Sequence, residues 1–575
     1  MFRKTKPTQV DLFKDISAHY SERKQKLLND PTKWHNVFYQ QVYSNIDEDI
    51  FKPLYCLDNG RSNASVKVLV SMMILKEGFG WSDKQLFEQC AFNILVMAAL
   101  GFRNADQDIP VESTYYKFRS AFLAYKEAYG IDLLEACFQD ITICQIEEFD
   151  VKGEKIRMDS KLISSNIARS SRLALILTVI QKFIKKKTLN RLVEAGLSDS
   201  QYSFLVGLKN TKVSKICYPL DKADEKALLI ELGSTIPVLL NSYKSEEEDY
   251  DLLERLFGDQ YELVSDDNKV KDDNSKESNS KESNPKTTVR PKAAKTISSS
   301  SLQSAHDAEA AFRSKGQGAG KQQKTGFHSN ITETCDLDND FNLITNVATE
   351  AANICESEFL RKGVEQTEAM LKAAHHTVGT NQQHIKQNIT DGGFYSIENC
   401  VYMSAEDKPA WILSKTKGGK PAFTMSYTDE NELQVCDIKT GEQLKTSRSR
   451  NGKKVVVHTS GPKRYFTDAE IQQYIIRQHY NQPVDEEAKG LRANSESTIH
   501  AVFHRLGKRD KIKYRGLYKC HCYVLCRALW VNCSRITKKV AKKATILLNV
   551  VLRSFITPYV CLENIGNVVG YRVGG

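Results

Sequence analysis

The chain of 575 residues predicts a mixed α/β fold interrupted by insertions. Three observations carry this: helical apolar spacing through the first 150 residues, an alternating stretch EKIRMDSKLI directly after them, and a polar, acidic segment that divides the remainder. At 41% hydrophobic and 26% charged residues most of the chain can bury a core, and its length suits three or four domains or large insertions. Its longest apolar runs, 173–180 and 544–556, fall short of the ~20 residues that a membrane span needs. The opening MFRKTKPTQVDLFKD lacks an apolar signal core. Fourteen cysteines spread over so long a chain fit reduced thiols better than a secreted disulfide framework, so a cytoplasmic location is expected.

Residues 1–150 read as a helical domain. Val66, Leu69, Val70, Met73 and Ile74 recur at helical spacing, Gly78 and Gly80 end that run, and Ser82 with Gln85 makes a capping box for DKQLFEQCAFNILVMAAL. A third helix starts at PVESTYYKFRSAFLAY. Short helices joined by glycine-containing turns suit a helix-turn-helix-like DNA reader, although the pattern alone favours an ordinary helical bundle. In the alternating stretch, Ile156, Met158, Ser160 and Leu162 share one face of a strand, and Arg157, Asp159 and Lys161 the other. Helical spacing returns over 171–264, in LALILTVIQKFIKK and KALLIELG, as a helical insert.

Residues 265–304 carry a tandem SKESN repeat, two prolines and a serine run. They hold too little apolar area to offset their ordering entropy and read as a disordered linker. Beyond it TGFHSNITET and FNLITNVATEA read as strands, SEFLRKGVEQTEAMLKAAHH as a helix, and QHIKQNITDGGFYSIENC as a strand ending at Asp391 before a Gly-Gly turn. Residues 401–462, including AWILSK, PAFTMSY and KKVVVHTS, suggest a β-rich insertion. DAEIQQYIIRQ and the run 488–504 read as helices, and 541–575 as a C-terminal tail.

The formal net charge of +10 is uneven. Residues 501–575 carry a net +13 and residues 245–284 a net −9. A basic end and an acidic middle imply modules with different partners.

Asp159 on a strand, Asp391 at a strand end and Glu496 on a late helix suggest three carboxylates brought together in space. Chemistry gives such a trio a use: Mg²⁺ takes oxygen ligands, and two ions about 3.5–4 Å apart clamp the attacking and leaving oxygens of a phosphoryl displacement. Carboxylates are common on solvated surfaces, so the pattern alone is weak.

The motifs resemble those of the DDE transposases of bacterial insertion sequences, the branch with an InsH-like N-terminal helical domain. The matching blocks run in order: LVSMMILKEGFGWSDKQLFEQCAFNILVMAALGF with ESTYYKFR, RMDSKLISSNIA, HDAEAAFRSKG, DGGFYSIEN, and LRANSESTIHAVF with KYRGLYK and ALWVNCSRI. The resemblance implies a ribonuclease-H-like core, assembled from 151–170, 305–400 and 463–540, with catalytic and metal-binding acids on its first strand, fourth strand and a late helix. These match Asp159 in RMDSK, Asp391 in DGGFY and Glu496 in RANSES. It further implies two Mg²⁺ ions, replaceable by Mn²⁺, and DNA cleavage and strand transfer at the ends of a mobile element. A homodimer that synapses two ends follows, nucleoid-associated when bound to DNA.

Arg492, four residues before Glu496, matches a family arginine and would reach a DNA phosphate, the bland alternative being an intrahelical salt bridge. The tyrosine expected three before it is Lys489, and the lysine expected seven after the glutamate is Phe503. The basic segment RLGKRDKIKYRGLYK supplies Lys508, Arg509, Lys511, Lys513, Arg515 and Lys519 as phosphate contacts, with Arg313 and Lys315 as further candidates beside His306 and Asp307. Two zinc readings compete weakly: Glu496, His500 and His504 at four-residue spacing, and the cysteines around His521, which also fit a buried helix. The alternative to an enzyme is a catalytically inactive or repurposed DNA-binding relative.

Overall fold

The computed structural model describes the chain except residues 7–14, 19, 57, 59, 105, 190–191, 193–195, 248, 265–287, 317–320, 377–384, 414–420, 481–485 and 570–575; of 375–376 and 547–569 it describes the backbone alone. The architecture is mixed α/β. Its first half is led by four helices: α1 (Val66–Phe79), α2 (Asp83–Phe92), α3 (Glu112–Tyr129) and α4 (Leu133–Phe149). Ser65 caps α1 by accepting from Val68 N–H, Gly80 ends it at φ 75°, and the Ser82–Gln85 capping box forms as its spacing predicts. Gly78, expected to end α1, lies inside it. It is glycine because the indole of Trp530 lies against its Cα, where a Cβ would overlap the ring.

Helix α4 leads into β1 (Lys155–Ser164), the centre of a six-stranded sheet with β2 (Ala311–Lys315), β3 (Gln322–Thr334), β4 (Ile344–Ala351), β5 (Gln387–Thr390) and β6 (Ala410–Leu413). Strand β3 pairs antiparallel with β1, with β4 and, near its start, with β2. On the other edge of β1 come β5 and then β6, both parallel. The helix α5 (Phe359–His376) crosses from β4 to β5, as a parallel neighbour requires. The AWIL segment therefore belongs to this sheet as β6, a correction to the expectation that it opened the β-rich insertion. That region continues as the pair Phe423–Tyr427 with Leu433–Asp437 and the three-stranded sheet Thr446–Arg448, Val455–Val457, Arg464–Phe466.

The late run does not form one helix. It breaks at Asn494 into α6 (Glu486–Ala493) and α7 (Ser495–Phe503). The tail expected at 541–575 is instead a continuation of α8 (Leu517–Val569) as far as Val569. Cys520, Cys522, Cys526 and Cys533 are buried along α8, as an apolar helix face predicts.

The N-terminal helices, the central sheet and α8 share one apolar core. Trp530 of α8 packs against Phe79 at 4.7 Å, Trp34 at 6.1 Å and Phe38 at 6.2 Å between ring centroids. Arg527, 1% exposed, donates to the carbonyls of Glu77 and Gly78 at the end of α1, and to those of Ala501 and Val502 at the end of α7. Carbonyls left open at a helix C-terminus favour a cation there. Helix α1 is consequently buried nearly all round, and of the α1–turn–α2 pair α2 carries the exposed face.

Helices including Arg172–Ile184, Asp199–Asn210, Lys222–Ser242 and Tyr250–Gln260 form the insert around a second core. Of the stretch expected as disordered linker, 265–287 lie outside the described residues. From Thr288 onward it is ordered: Thr288–Pro291 pairs with Tyr261–Val264, and Leu302 and Ala305 are buried in the second core. Those few apolar side chains find a preformed helical surface, which the local composition does not reveal. Among the described residues, no helix is long and apolar enough to cross a membrane.

Gly78→Ala is expected to lower stability by about 1–3 kcal/mol through overpacking against Trp530, read as a drop in thermal midpoint; an unchanged midpoint would mean that Trp530 gives way freely.

Candidate active site

The polar face of β1 is buried at Arg157, while Asp159 and Lys161 stay partly exposed. Arg157 is buried and donates its Nε to the Glu333 carboxylate on β3 at 2.7 Å and its Nη1 to the Leu491 carbonyl of α6 at 2.6 Å. Glu333, 2% exposed, also accepts from Thr498 of α7 at 2.9 Å and from Arg535 of α8 at 2.8 Å. This network fastens α6, α7 and α8 onto the sheet. It was missed because Arg157 and Glu333 read as ordinary charged positions of strands; the polar run in TGFHSNITET was the available signal.

Asp159 lies two residues further along β1. Its Oδ2 accepts from the Ser495 hydroxyl at the start of α7 at 2.8 Å, and its Oδ1 from the Ser160 N–H at 2.8 Å. The parallel register ends with Arg157 opposite Ile389, so Asp159 and Asp391 each lie two residues beyond the last paired positions of the two neighbouring strands. Asp391 follows β5 and accepts from the Gly393 N–H at 2.8 Å, which opens a short 3-10 turn over Gly392–Phe394. Burial pushes the Asp159 carboxyl above its ordinary range; the bonds from Ser495 and Ser160 oppose this, the Asp391 charge adds to it and Arg492 offsets it. Arg492, near the end of α6, stands 3.9 Å from Asp391, so its charge faces that carboxylate.

Glu496 is in the first turn of α7, directly after Ser495, with its side chain exposed. The structure thus brings Asp159, Asp391 and Arg492 together and leaves Glu496 beside them on the outer face of α7. Gly393 needs to be glycine, since the Glu356 carboxylate occupies the space of a Cβ there. Glu356 is paired with Lys315 at 3.3 Å, and His328 bonds the Ser160 hydroxyl at 3.0 Å.

The two aspartates offer hard carboxylate oxygens, half-buried and mutually repelling, which suits a divalent cation. Among the described residues, the trio whose ligand atoms all lie within 4.8 Å of one another is a different one, Asp132, Glu135 and His521. That trio is engaged in packing α8: Asp132 caps α4 and meets Lys126 and Tyr518 at 3.0 Å each, and Glu135 meets Lys362 at 3.4 Å and Gln366 at 3.1 Å. His500 and His504 stack on each other with centroids 5.5 Å apart. The buried thiols of α8 are pushed up, that of Cys533 to about 12, away from the thiolate form that binds zinc.

Of the basic candidates, Lys508, Arg509, Lys513, Arg515 and Lys519 are exposed. Lys511, Lys513 and Arg515 each donate to a backbone carbonyl, of Ile167, Gly80 and Asn166 respectively, at 2.9 Å. Arg313 faces inward, donating to the carbonyls of Ala352 and Ile354, and Lys315 is committed to Glu356.

Residues 26–121, which hold α1, α2 and the first part of α3, match a family described as a transposase domain (DUF772). The match supports a transposase family without selecting a branch. No curated protein matches the chain, and no solved structure does.

Two stability changes of opposite sign are expected in metal-free buffer. The folded Asp159 carboxyl holds its proton more tightly than in the unfolded chain, so ionisation costs stability as pH rises through the carboxylate range. Asp159→Asn should therefore raise the thermal midpoint at pH 7, with the gain vanishing at acid pH where wild-type Asp159 is protonated; a lowered midpoint at pH 7 would contradict this. Glu333→Ala leaves Arg157 buried without its carboxylate and should cost about 3–5 kcal/mol, measured by denaturant titration.

Proposed function

We propose that the chain is a transposase that cuts and joins DNA with Mg²⁺ held by Asp159, Asp391 and Glu496. The observation that carries this is that Asp159 and Asp391 each lie two residues past the last paired positions of adjacent parallel strands, close enough for the Asp391 charge to act on the Asp159 carboxyl. The sheet supports it: β1, β3 and β4 are joined antiparallel, while β5 and β6 extend the other edge of β1 in parallel. This sheet is compatible with the ribonuclease-H-like reading, which expects acids on the first strand, at the end of a later strand, here β5, and on a late helix. The transposase-domain match lies in the helices that share a core with this sheet.

The chain's own residues divide the work. Asp159 and Asp391 present carboxylate oxygens at the strand ends, and the bonds from Ser495, Ser160 and Gly393 orient them. Glu496, free on the surface of α7, supplies a third carboxylate when substrate and ions arrive. Arg492 balances the Asp391 charge and can donate to a phosphate beside it. Bound Mg²⁺ would supply Lewis-acid activation of water and of the scissile phosphate. Water attack at phosphorus breaks the bond to the 3′ oxygen and leaves a 5′-phosphate and a 3′-hydroxyl; attack by that hydroxyl on a target phosphate forms the new phosphodiester and expels the target's own 3′ oxygen as a hydroxyl. Two ends must be cut together, so a homodimer is expected in the working complex.

A second reading has one observation behind it: Glu496 lies exposed rather than gathered with the two aspartates. On that reading the chain binds DNA without cutting. The test is nicking of DNA carrying the element's ends, with and without Mg²⁺. Wild type should nick only with the metal, and Asp159→Asn, Asp391→Asn and Glu496→Gln should each lose more than about 100-fold, the upper cost of disturbing groups behind a metal ligand. Binding without nicking would leave the DNA-binding reading; full activity in Glu496→Gln would remove Glu496 from the site.

A further inference from the structure

Off the far end of β1 lies a cleft of about 780 Å³, bordered by Arg169, Phe312, Gln322, Gln323, Lys508 and Arg509. It is separate from the carboxylates, and its walls come from β1, from the strands β2 and β3, and from the turn after α7. That turn is strained. Arg509 and Asp510, both non-glycine, have φ of 60° and 55°, a conformation that persists where surrounding contacts overdetermine it and that gathers at ligand clamps. The contacts are present: Asp510 pairs with Lys324 at 2.5 Å and Lys161 at 3.5 Å, Ser164 donates to the Arg509 carbonyl at 3.1 Å, and Ile512 donates to the Ser164 carbonyl at 2.9 Å. The consequence is that the Lys508 and Arg509 side chains stand exposed at the rim of the cleft.

We infer that this cleft binds unpaired nucleotides of the DNA strand that runs away from the carboxylate site. The class of ligand follows from the lining. Cations at the rim suit phosphates, side-chain amides of Gln322 and Gln323 suit base edges, and the half-buried Phe312 offers a stacking face. The volume is that of a pocket for a drug-sized ligand; it takes one or two nucleotides and excludes a duplex, whose major groove alone is about 12 Å wide. Past Arg157 the edge of β1 leaves its pairing with β5, until Ser164 bridges to Lys511. Lys161, on the Asp159 face, lies along that edge. From Asp159 to Ser164 is about 17 Å at ~3.4 Å per residue, the rise of about five stacked nucleotides. The choice of DNA as the nucleic acid rests on the transposase reading; the cleft and its single-strand selectivity do not.

The experiment is fluorescence anisotropy of the full chain in EDTA with a labelled single-stranded hexanucleotide and a blunt duplex. Arg509→Gly removes the cation with a residue suited to φ 60°, and Arg169→Ala removes a second, which donates to the Gln323 carbonyl at 2.9 Å. Each should weaken hexanucleotide binding several-fold and reduce the slope of log affinity against log salt by about 0.7, a clearly larger loss than the same variant shows on the duplex. Failure of wild type to bind the hexanucleotide, unchanged binding in both variants, or equal losses on both DNAs overturns the inference, the last by assigning these cations to a general duplex surface. Neither metal nor cutting enters the measurement. A chain that never nicks can therefore still support the cleft, and a chain that nicks can still refute it.

Discussion

The buried carboxylate of Glu333 is the interaction on which the rest of the molecule depends. Removing an anion from water costs several kcal/mol, and only partners with good geometry return it. Arg157 and Arg535 are those partners, with Thr498 filling a further lone pair, and each comes from a different element. A charge that needs β1, α7 and α8 at once permits few arrangements of the three. Once α7 is fixed by Thr498, Ser495 at its start lies over Asp159, so the orientation of the proposed catalytic aspartate is inherited from an ion network that itself takes no part in chemistry.

The second constraint is the length of β1. It pairs with β3 over its whole span but with β5 only at its first residues. Where β5 stops, Asp391 is released into a turn and Asp159 is left with an open strand edge beside it. A pair of like charges is tolerated there because water and Arg492 still reach it, which would not hold in the middle of the sheet. The same open edge leads toward the strained turn at Arg509. The acidic and basic character of the region is thus laid out along a single strand.

Much of this was legible from residue order. Alternation in EKIRMDSKLI located β1, the Ser82–Gln85 spacing located a helix start, and Asp391 before two glycines marked a strand end, because each rests on local geometry of a few residues. What was not legible depends on partners distant in sequence. Gly78 looked like a helix stop and is a contact point for Trp530, more than four hundred residues away. AWIL had the alternation of any short strand, and nothing in it tells which sheet receives it. The run 488–504 kept helical spacing through the break at Asn494, and a turn of that kind alters side-chain direction without altering periodicity. For that reason Glu496 could be assigned to a late helix while the direction of its carboxylate stayed hidden. The ordered end of the supposed linker is the same lesson: a few apolar residues suffice when another part of the chain has already built the surface for them.

Arg527 closes two helix ends with one guanidinium, that of α1 in the transposase-like segment and that of α7 beside the candidate site. It acts as a ruler between them. The long helical insert and the β-rich region hang from loops and carry their own cores, so the chain can grow by hundreds of residues without altering that spacing. The distance between the two helix ends is then set by the reach of a single side chain, and stays constant while the rest of the protein lengthens.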